Sequence, residues 1–319
     1  MIWSGTRLCN EFGKSGVRLP TSYAVGGSVL GIVLDKNYHG HKALAERGIH
    51  IPAIEPLPEK VVNLGVLNVM PKAHEYEIEL ISAFAGVTHP LRFIWIRIRN
   101  HGYSSTDPDV LAGYQYFDDV VDQLDGLILT GAAVEKLPFE EVRYWPEMVQ
   151  TLEKARKQIK TTLGICWGGL ALAKILDIPK DVFDSKLFGV FPTDNLINDH
   201  KLTGCFGEQF PCPVSTNAGI SDATWEQAAR EGKVRLLAHA SDAGYLIAES
   251  ADGRFLMHVG HPEYSATRLP EEYARDCSRN VPGAAPPQNV DLHRPVQEWA
   301  RQSDRFFQKW VDFMAEAAK

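Results

Sequence analysis

The chain has 319 residues, 45% hydrophobic and 23% charged, with 33 basic and 40 acidic side chains and a formal net charge of −7. That balance fits a globular protein with a sizeable apolar core. With no Lys/Arg run and no long apolar stretch, it argues against nucleic acid and membranes as partners. Five cysteines (Cys9, Cys166, Cys205, Cys212, Cys277) without a C-x-x-C pair, and 11 scattered histidines, predict reduced thiols and no metal site; with no signal-peptide layout at Met1–Arg7 they predict a cytoplasmic protein.

In chain order, residues 1–42 read as an N-terminal extension in which Val25–Leu34 is a hairpin or an extended arm. A single domain then spans residues 43–319, its core over about 61–280. Lys42–Arg47 suits a short helical turn, and Pro52, Pro56 and Pro58 an extended connector. Apolar runs at 62–69, Leu91–Ile98, Asp125–Gly131 and Ile159–Ile165 predict strands buried on both faces. Between them, Glu75–Phe84, Tyr114–Leu124 and Phe139–Ile159 predict helices, and Leu170–Leu176 predicts another after the fourth strand. Such alternation predicts a three-layer α/β fold: a mostly parallel sheet with helices on both faces. After Ile178–Pro179 the pattern loosens, and Lys186–Ser215 reads as short apolar runs with turns. Val234–His239, Tyr245–Ala248 and Arg254–Val259 predict further strands. A helix starts at Pro270, Pro282–Pro295 is a proline-rich loop, and a C-terminal helix fills about 296–318, with Trp299, Phe306, Phe307, Trp310, Val311 and Met314 on its apolar side.

The stretch Leu163-Gly164-Ile165-Cys166-Trp167-Gly168-Gly169 has the layout of a nucleophile elbow: strand, sharp turn, helix. A cysteine there lies near the positive end of the following helix, which favours thiolate. A cysteine nucleophile needs a base and often a carboxylate to orient it. His261-Pro262-Glu263, at the end of a predicted strand, offers both. In parallel sheets sites form at the carboxyl ends of strands, so Asn68–Pro71, Gly131–Glu135 and Cys166 should converge on one crevice.

The Gly-x-Cys-x-Gly frame with a later His-Pro-Glu is similar to class I glutamine amidotransferase domains. A longer ordered set resembles the homoserine O-acyltransferase family more closely. It comprises Gly65–Lys72, Asp125–Ala132, Tyr144–Pro146, Cys166–Trp167, Ile178–Lys180, Lys186–Val190 and Gly260–Tyr264. The resemblance implies the class I amidotransferase-like, flavodoxin-like fold, no bound cofactor, acetyl-CoA as co-substrate and a homodimer. It implies ping-pong transfer of an acyl group from an acyl-CoA through an acyl-cysteine on Cys166 to the hydroxyl of L-homoserine. His261 would be the base, Glu263 its orienting carboxylate, and backbone N–H groups of Trp167 and Asn68 the oxyanion donors. Arg275, Lys186 and Ser215 would bind substrate. Glu135 stands where the family pairs glutamate with acetyl-CoA and glycine with succinyl-CoA; a glutamate there repels a succinyl carboxylate. Departures cluster on the acceptor side. Val214-Ser215-Thr216 stands for the family's His-Ser-Arg, and His74 and Tyr76 replace smaller residues. L-serine or another hydroxy amino acid as acceptor, succinyl-CoA as donor, and a glutaminase-type activity are the alternatives.

Overall fold

The computed structural model describes residues 31–51 and 60–316. The connector expected at Pro52, Pro56 and Pro58, and the part of the N-terminal arm before Gly31, lie outside them. The strands are β1 (Ile32–Val33), β2 (Val62–Leu67), β3 (Leu91–Arg97), β4 (Gln115–Tyr116), β5 (Gly126–Leu129), β6 (Thr162–Ile165), β7 (Asp181–Asn195), β8 (Gln209–Gly219), β9 (Val234–Ala240), β10 (Gly244–Ser250) and β11 (Phe255–His258). The helices are α1 (His41–Glu46), α2 (Ala73–Ala83), α3 (Pro108–Ala112), α4 (Phe117–Val120), α5 (Trp145–Gln158), α6 (Trp167–Ile175), α7 (Asp222–Arg230), α8 (Arg268–Ser278) and α9 (Ala300–Ala315). No helix among the described residues is long and apolar enough to cross a membrane.

The strands form one sheet in the order β1-β3-β2-β5-β6-β11-β10-β9-β7-β8, with β4 on β3. From β1 to β11 every pairing is parallel; β10, β9, β7 and β8 continue it antiparallel. This is the mostly parallel, three-layer α/β sheet expected. α1 and α9 pack against α2, and α5 packs against α6. Central strands are buried along their whole length, which explains their unbroken apolar runs: β5, β6 and β11 expose no residue.

The structure corrects several expected elements. Ile32 and Val33, inside the stretch read as an extension, pair in parallel with Leu91 and Arg92. Tyr114–Leu124 is not one helix: Gln115–Tyr116 bridges β3, a single turn follows at Phe117–Val120, and a 3₁₀ turn at Val121–Gln123. Its Asp and Val residues hold a helix poorly. Within Phe139–Ile159 the helix runs Trp145–Gln158, with Pro146 in its first turn as expected, and a separate 3₁₀ turn at Phe139–Glu141 precedes it. The largest miss is Lys186–Ser215, where β7 and β8 form a long antiparallel hairpin instead of turns. Cys277 is disulfide-bonded, although sparse cysteines had predicted only reduced thiols; Cys166, Cys205 and Cys212 are free.

Candidate active site

Cys166 stands between β6 and α6, the element to which its N–H belongs by position but not by bonding: it donates to His258 O of β11 at 2.8 Å. Its φ of 54° and ψ of −116° are unusual for a residue with a side chain. Strain of this kind, on the order of 1–3 kcal/mol, persists where the surroundings enforce it. Here they do. A Cβ on Gly164 would stand 2.4 Å from Gly168 O, and one on Gly168 would stand 2.2 Å from Leu129 O. Only glycines let α6 press so closely on β5 and β6. α6 starts at Trp167, so Gly168 and Gly169 lie in its first turn and the unbonded N–H groups of that turn surround the cysteine.

His261 follows β11 and is anchored by its N–H to Pro213 O of β8 at 2.8 Å. Its Nδ1 lies 2.8 Å from Glu263 Oε1. That bond leaves Nε2 buried without a hydrogen-bond partner, on the side of the Cys166 sulfur. Burial pulls the imidazole pKa down, but the charges of Glu263 and of a Cys166 thiolate outweigh it and hold the ring well above its ordinary value. Glu263 is 2% exposed, and its Oε1 also accepts from Tyr76 Oη of α2 at 3.3 Å. The His261 ring stacks on Tyr264 at 3.9 Å. A second imidazole, His258, is kept neutral nearby: burial, then the charge of His261, lowers its pKa to about 3.

Ser215 lies across from the cysteine, whose Sγ donates to Ser215 O at 3.8 Å. The Ser215 hydroxyl donates to Glu272 Oε2 at 2.6 Å. Glu272 is a buried hub on α8. It also accepts from Tyr264 Oη at 2.7 Å and pairs with Lys186 at 3.2 Å and Arg268 at 3.5 Å. Burial alone would raise its pKa; Lys186 and Arg268 reverse that and bring it to about 2. Tyr264 is pinned in turn, its carbonyl accepting Trp299 Nε1 at 2.8 Å and Gln297 Nε2 at 2.9 Å.

Cys166, Trp167, His261, Glu263, Ser215 and, through Glu272, Lys186 therefore meet at one sheet edge. Glu135 joins them by a 2.7 Å bond from Asn217, two residues beyond Ser215 on β8. Two residues do not behave as expected. The Asn68 N–H is engaged by Ile96 O at 3.0 Å, and its side chain closes the loop to α2 by bonding Ala73 O and Tyr114 Oη. The N–H groups of Val69 and Met70 are engaged as well, by Thr130 Oγ1 and Asn68 Oδ1, so this loop offers an oxyanion no free amide at those positions. Gly131 takes its place beside the cysteine: a Cβ there would be 3.7 Å from Cys166 Cβ. Arg275 is exposed and binds Asp276 Oδ1 through Nε at 3.0 Å and Nη2 at 2.8 Å, while Arg268, one helix face nearer Tyr264, is the arginine that reaches the hub. Sequence reasoning missed Glu272 and Arg268. Nothing in the spacing of Glu272 marks it as buried.

The model of a protein family described as homoserine O-succinyltransferase matches residues 32–318. A homoserine O-acetyltransferase of Bacillus mycoides (strain KBAB4) is 31% identical over 293 residues, 88% of this chain and 96% of that protein. A homoserine O-acetyltransferase of Streptococcus pneumoniae (strain Taiwan19F-14) is 34% identical over 258 residues, 78% of this chain and 80% of that protein. Among solved structures, a glutamine amidotransferase of Thermotoga maritima shares the fold with a TM-score of 0.53 at 14% identity, covering 81% of this chain and all of that one. The chain belongs to the homoserine O-succinyltransferase family, a family of acyltransferases.

Proposed function

We propose that the protein is an acetyl-CoA:L-homoserine O-acetyltransferase working through an acetyl-cysteine. The observation that carries this reading is the strained Cys166 at an elbow against an imidazole whose far nitrogen is bonded to a buried carboxylate. The Cys166 thiolate attacks the thioester carbonyl, and the CoA thiolate leaves with the proton of the His261 imidazolium. The homoserine hydroxyl then attacks the acetyl-cysteine while His261 Nε2 takes its proton, and the Cys166 thiolate leaves to restore the pair. The oxyanion is held by the Trp167 N–H at the start of α6 and a donor from the Gly131–Ala132 turn opposite it. The acyl-CoA is a co-substrate, and no resident cofactor enters any step. Glu272, buried beside Ser215, is the site's acceptor for the substrate ammonium, and Lys186 and Arg268 flank it as partners for the carboxylate.

The family description and the relatives' names differ over the acyl group. Glu135 favours acetyl. Its carboxylate, fixed by Asn217, stands near Ser215, where a succinyl carboxylate would meet a like charge in a half-buried setting. Purified protein should release CoA from acetyl-CoA with L-homoserine and do so poorly with succinyl-CoA or L-serine. Cys166→Ala should abolish release, and Glu135→Gly should raise the succinyl-to-acetyl ratio by about tenfold or more. Wild-type rates in Cys166→Ala would overturn the acyl-cysteine route, and equal use of succinyl-CoA by the parent protein would overturn the donor.

A further inference from the structure

A second cavity, of about 510 Å³, opens at the same edge of the sheet as Cys166 and has no part in the chemistry above. Leu67, Arg97, Arg99, Asp118, Glu147 and Lys154 are among its walls. Arg97 and Arg99 lie against one ring, with guanidinium carbons 4.9 and 4.1 Å from the Tyr116 centroid. Arg97 Nε is buried and has no hydrogen-bond partner. The acids are occupied elsewhere. Glu147 takes the N–H groups of Arg99 and Asn100 and the Asn100 amide, each at 3.0 Å, and Asp118 takes Lys154 at 2.8 Å. Arg99 reaches these carboxylates only at 3.7 and 3.8 Å. The unpartnered Arg97 Nε, in a roomy cavity whose three cations (Arg97, Arg99, Lys154) outnumber its two acids (Asp118, Glu147), marks an anion seat.

The distance to the cysteine narrows the ligand. Leu67 pairs with Ile96 of β3 and with Leu129 of β5, and Leu129 pairs with Gly164 of β6. From β3 to β6 is three strand spacings, about 14 Å. A single small anion has no use for that separation. A thioester carried on a long arm from a nucleotide does. Resting on the acyl-CoA reading, we infer that Arg97 and Arg99 bind the phosphate groups of the donor's nucleotide end, while its pantetheine arm crosses the strand ends to Cys166. The guanidinium fork suits phosphate oxygens, and Tyr116 fixes both forks in place.

Adenosine 3′,5′-bisphosphate is the probe for the seat alone, and S-acetyl-N-acetylcysteamine is the donor that lacks it. By calorimetry the bisphosphate should bind the parent protein, and Arg97→Gln and Arg99→Gln should each weaken it about tenfold or more. The same changes should raise KM for acetyl-CoA to a like extent with kcat held, and leave kinetics with the short thioester unchanged. Arg99 is exposed, so Arg99→Gln reports binding without risk to the fold. Bisphosphate binding and KM for acetyl-CoA unaltered in both variants would overturn the inference, as would equal losses with both thioesters. A protein that transfers acyl groups from neither donor would overturn the acyl-CoA reading, whereas the bisphosphate titration judges the anion seat independently.

Discussion

The proposed acyl-cysteine route gives one histidine two opposite duties: it would hold a proton while a thiolate attacks, and accept one when the hydroxyl attacks. The forces on His261 supply the switch. Burial favours the neutral ring, and two anions, Glu263 and the Cys166 thiolate, favour the charged one. On the proposed route, acylation would remove the thiolate charge, and the pKa would fall at the moment a base is required. In the free enzyme the raised value means that the imidazolium pair stabilises the fold fully below the ordinary value of 6.5, and that this contribution is lost as pH rises through the folded-state pKa. Glu263→Gln and Cys166→Ser should therefore each lower the His261 pKa seen by nitrogen NMR. Glu263→Gln should also cost on the order of 10²–10⁴ in kcat. An unmoved imidazole titration in Glu263→Gln would strip Glu263 of this role. The pair His261–Glu263 was legible in the sequence because it is local, two residues apart. Tyr264, whose ring stacks on His261, is equally local, but Glu272 contributes through a 2.6 Å bond from Ser215, and a contact between positions 57 apart leaves no local pattern.

At the scale of elements, the elbow depends on close approach. α6 can begin at Trp167 because neither Gly164 nor Gly168 carries a Cβ, and the space each would need is filled by backbone, which cannot move aside as a side chain can. Gly168→Ala should lower the urea midpoint by the equivalent of about 1–3 kcal/mol, the range for overpacking a filled interior. It should cut activity further than the loss of folded protein explains, because Trp167 N–H and Cys166 shift together. Full activity at an unchanged midpoint would show that the elbow has room to spare. The strand–turn–helix at Cys166 was readable because its apolar run is continuous and its glycines are adjacent. The β7–β8 hairpin was not. Its outer half is solvent-exposed at Asp181, Val182, Asp184 and Ser185, and Pro192, Pro211 and Pro213 break the alternation that marks a strand. Yet this hairpin holds Ser215 O against the cysteine and Asn217 against Glu135, so the least legible element supplies much of the pocket wall.

For the molecule as a whole, the parallel half of the sheet was predictable from its long apolar runs, and in the antiparallel half β9 and β10 were predicted at Val234–His239 and Tyr245–Ala248 while β7 and β8 were not. The two halves divide the labour. The parallel half carries Cys166 and the Arg97–Arg99 cavity at its carboxyl edge, and the antiparallel half carries the Ser215 side of the pocket. Charge is divided too. The chain's net −7 would repel the proposed polyanionic donor at long range, while the arginines would attract it at contact. Salt distinguishes the two, because the screening length falls from about 10 Å at 0.1 M to about 3 Å at 1 M. If local cations govern binding, KM for acetyl-CoA should rise several-fold as salt increases over that range. KM for homoserine, a zwitterion without net charge, should stay nearly constant. Arg97→Gln with Arg99→Gln should flatten the donor's salt dependence. A KM for acetyl-CoA that falls with added salt would mean that the repulsion of the whole molecule outweighs its cationic edge, and that the donor is held by its pantetheine and acyl groups alone.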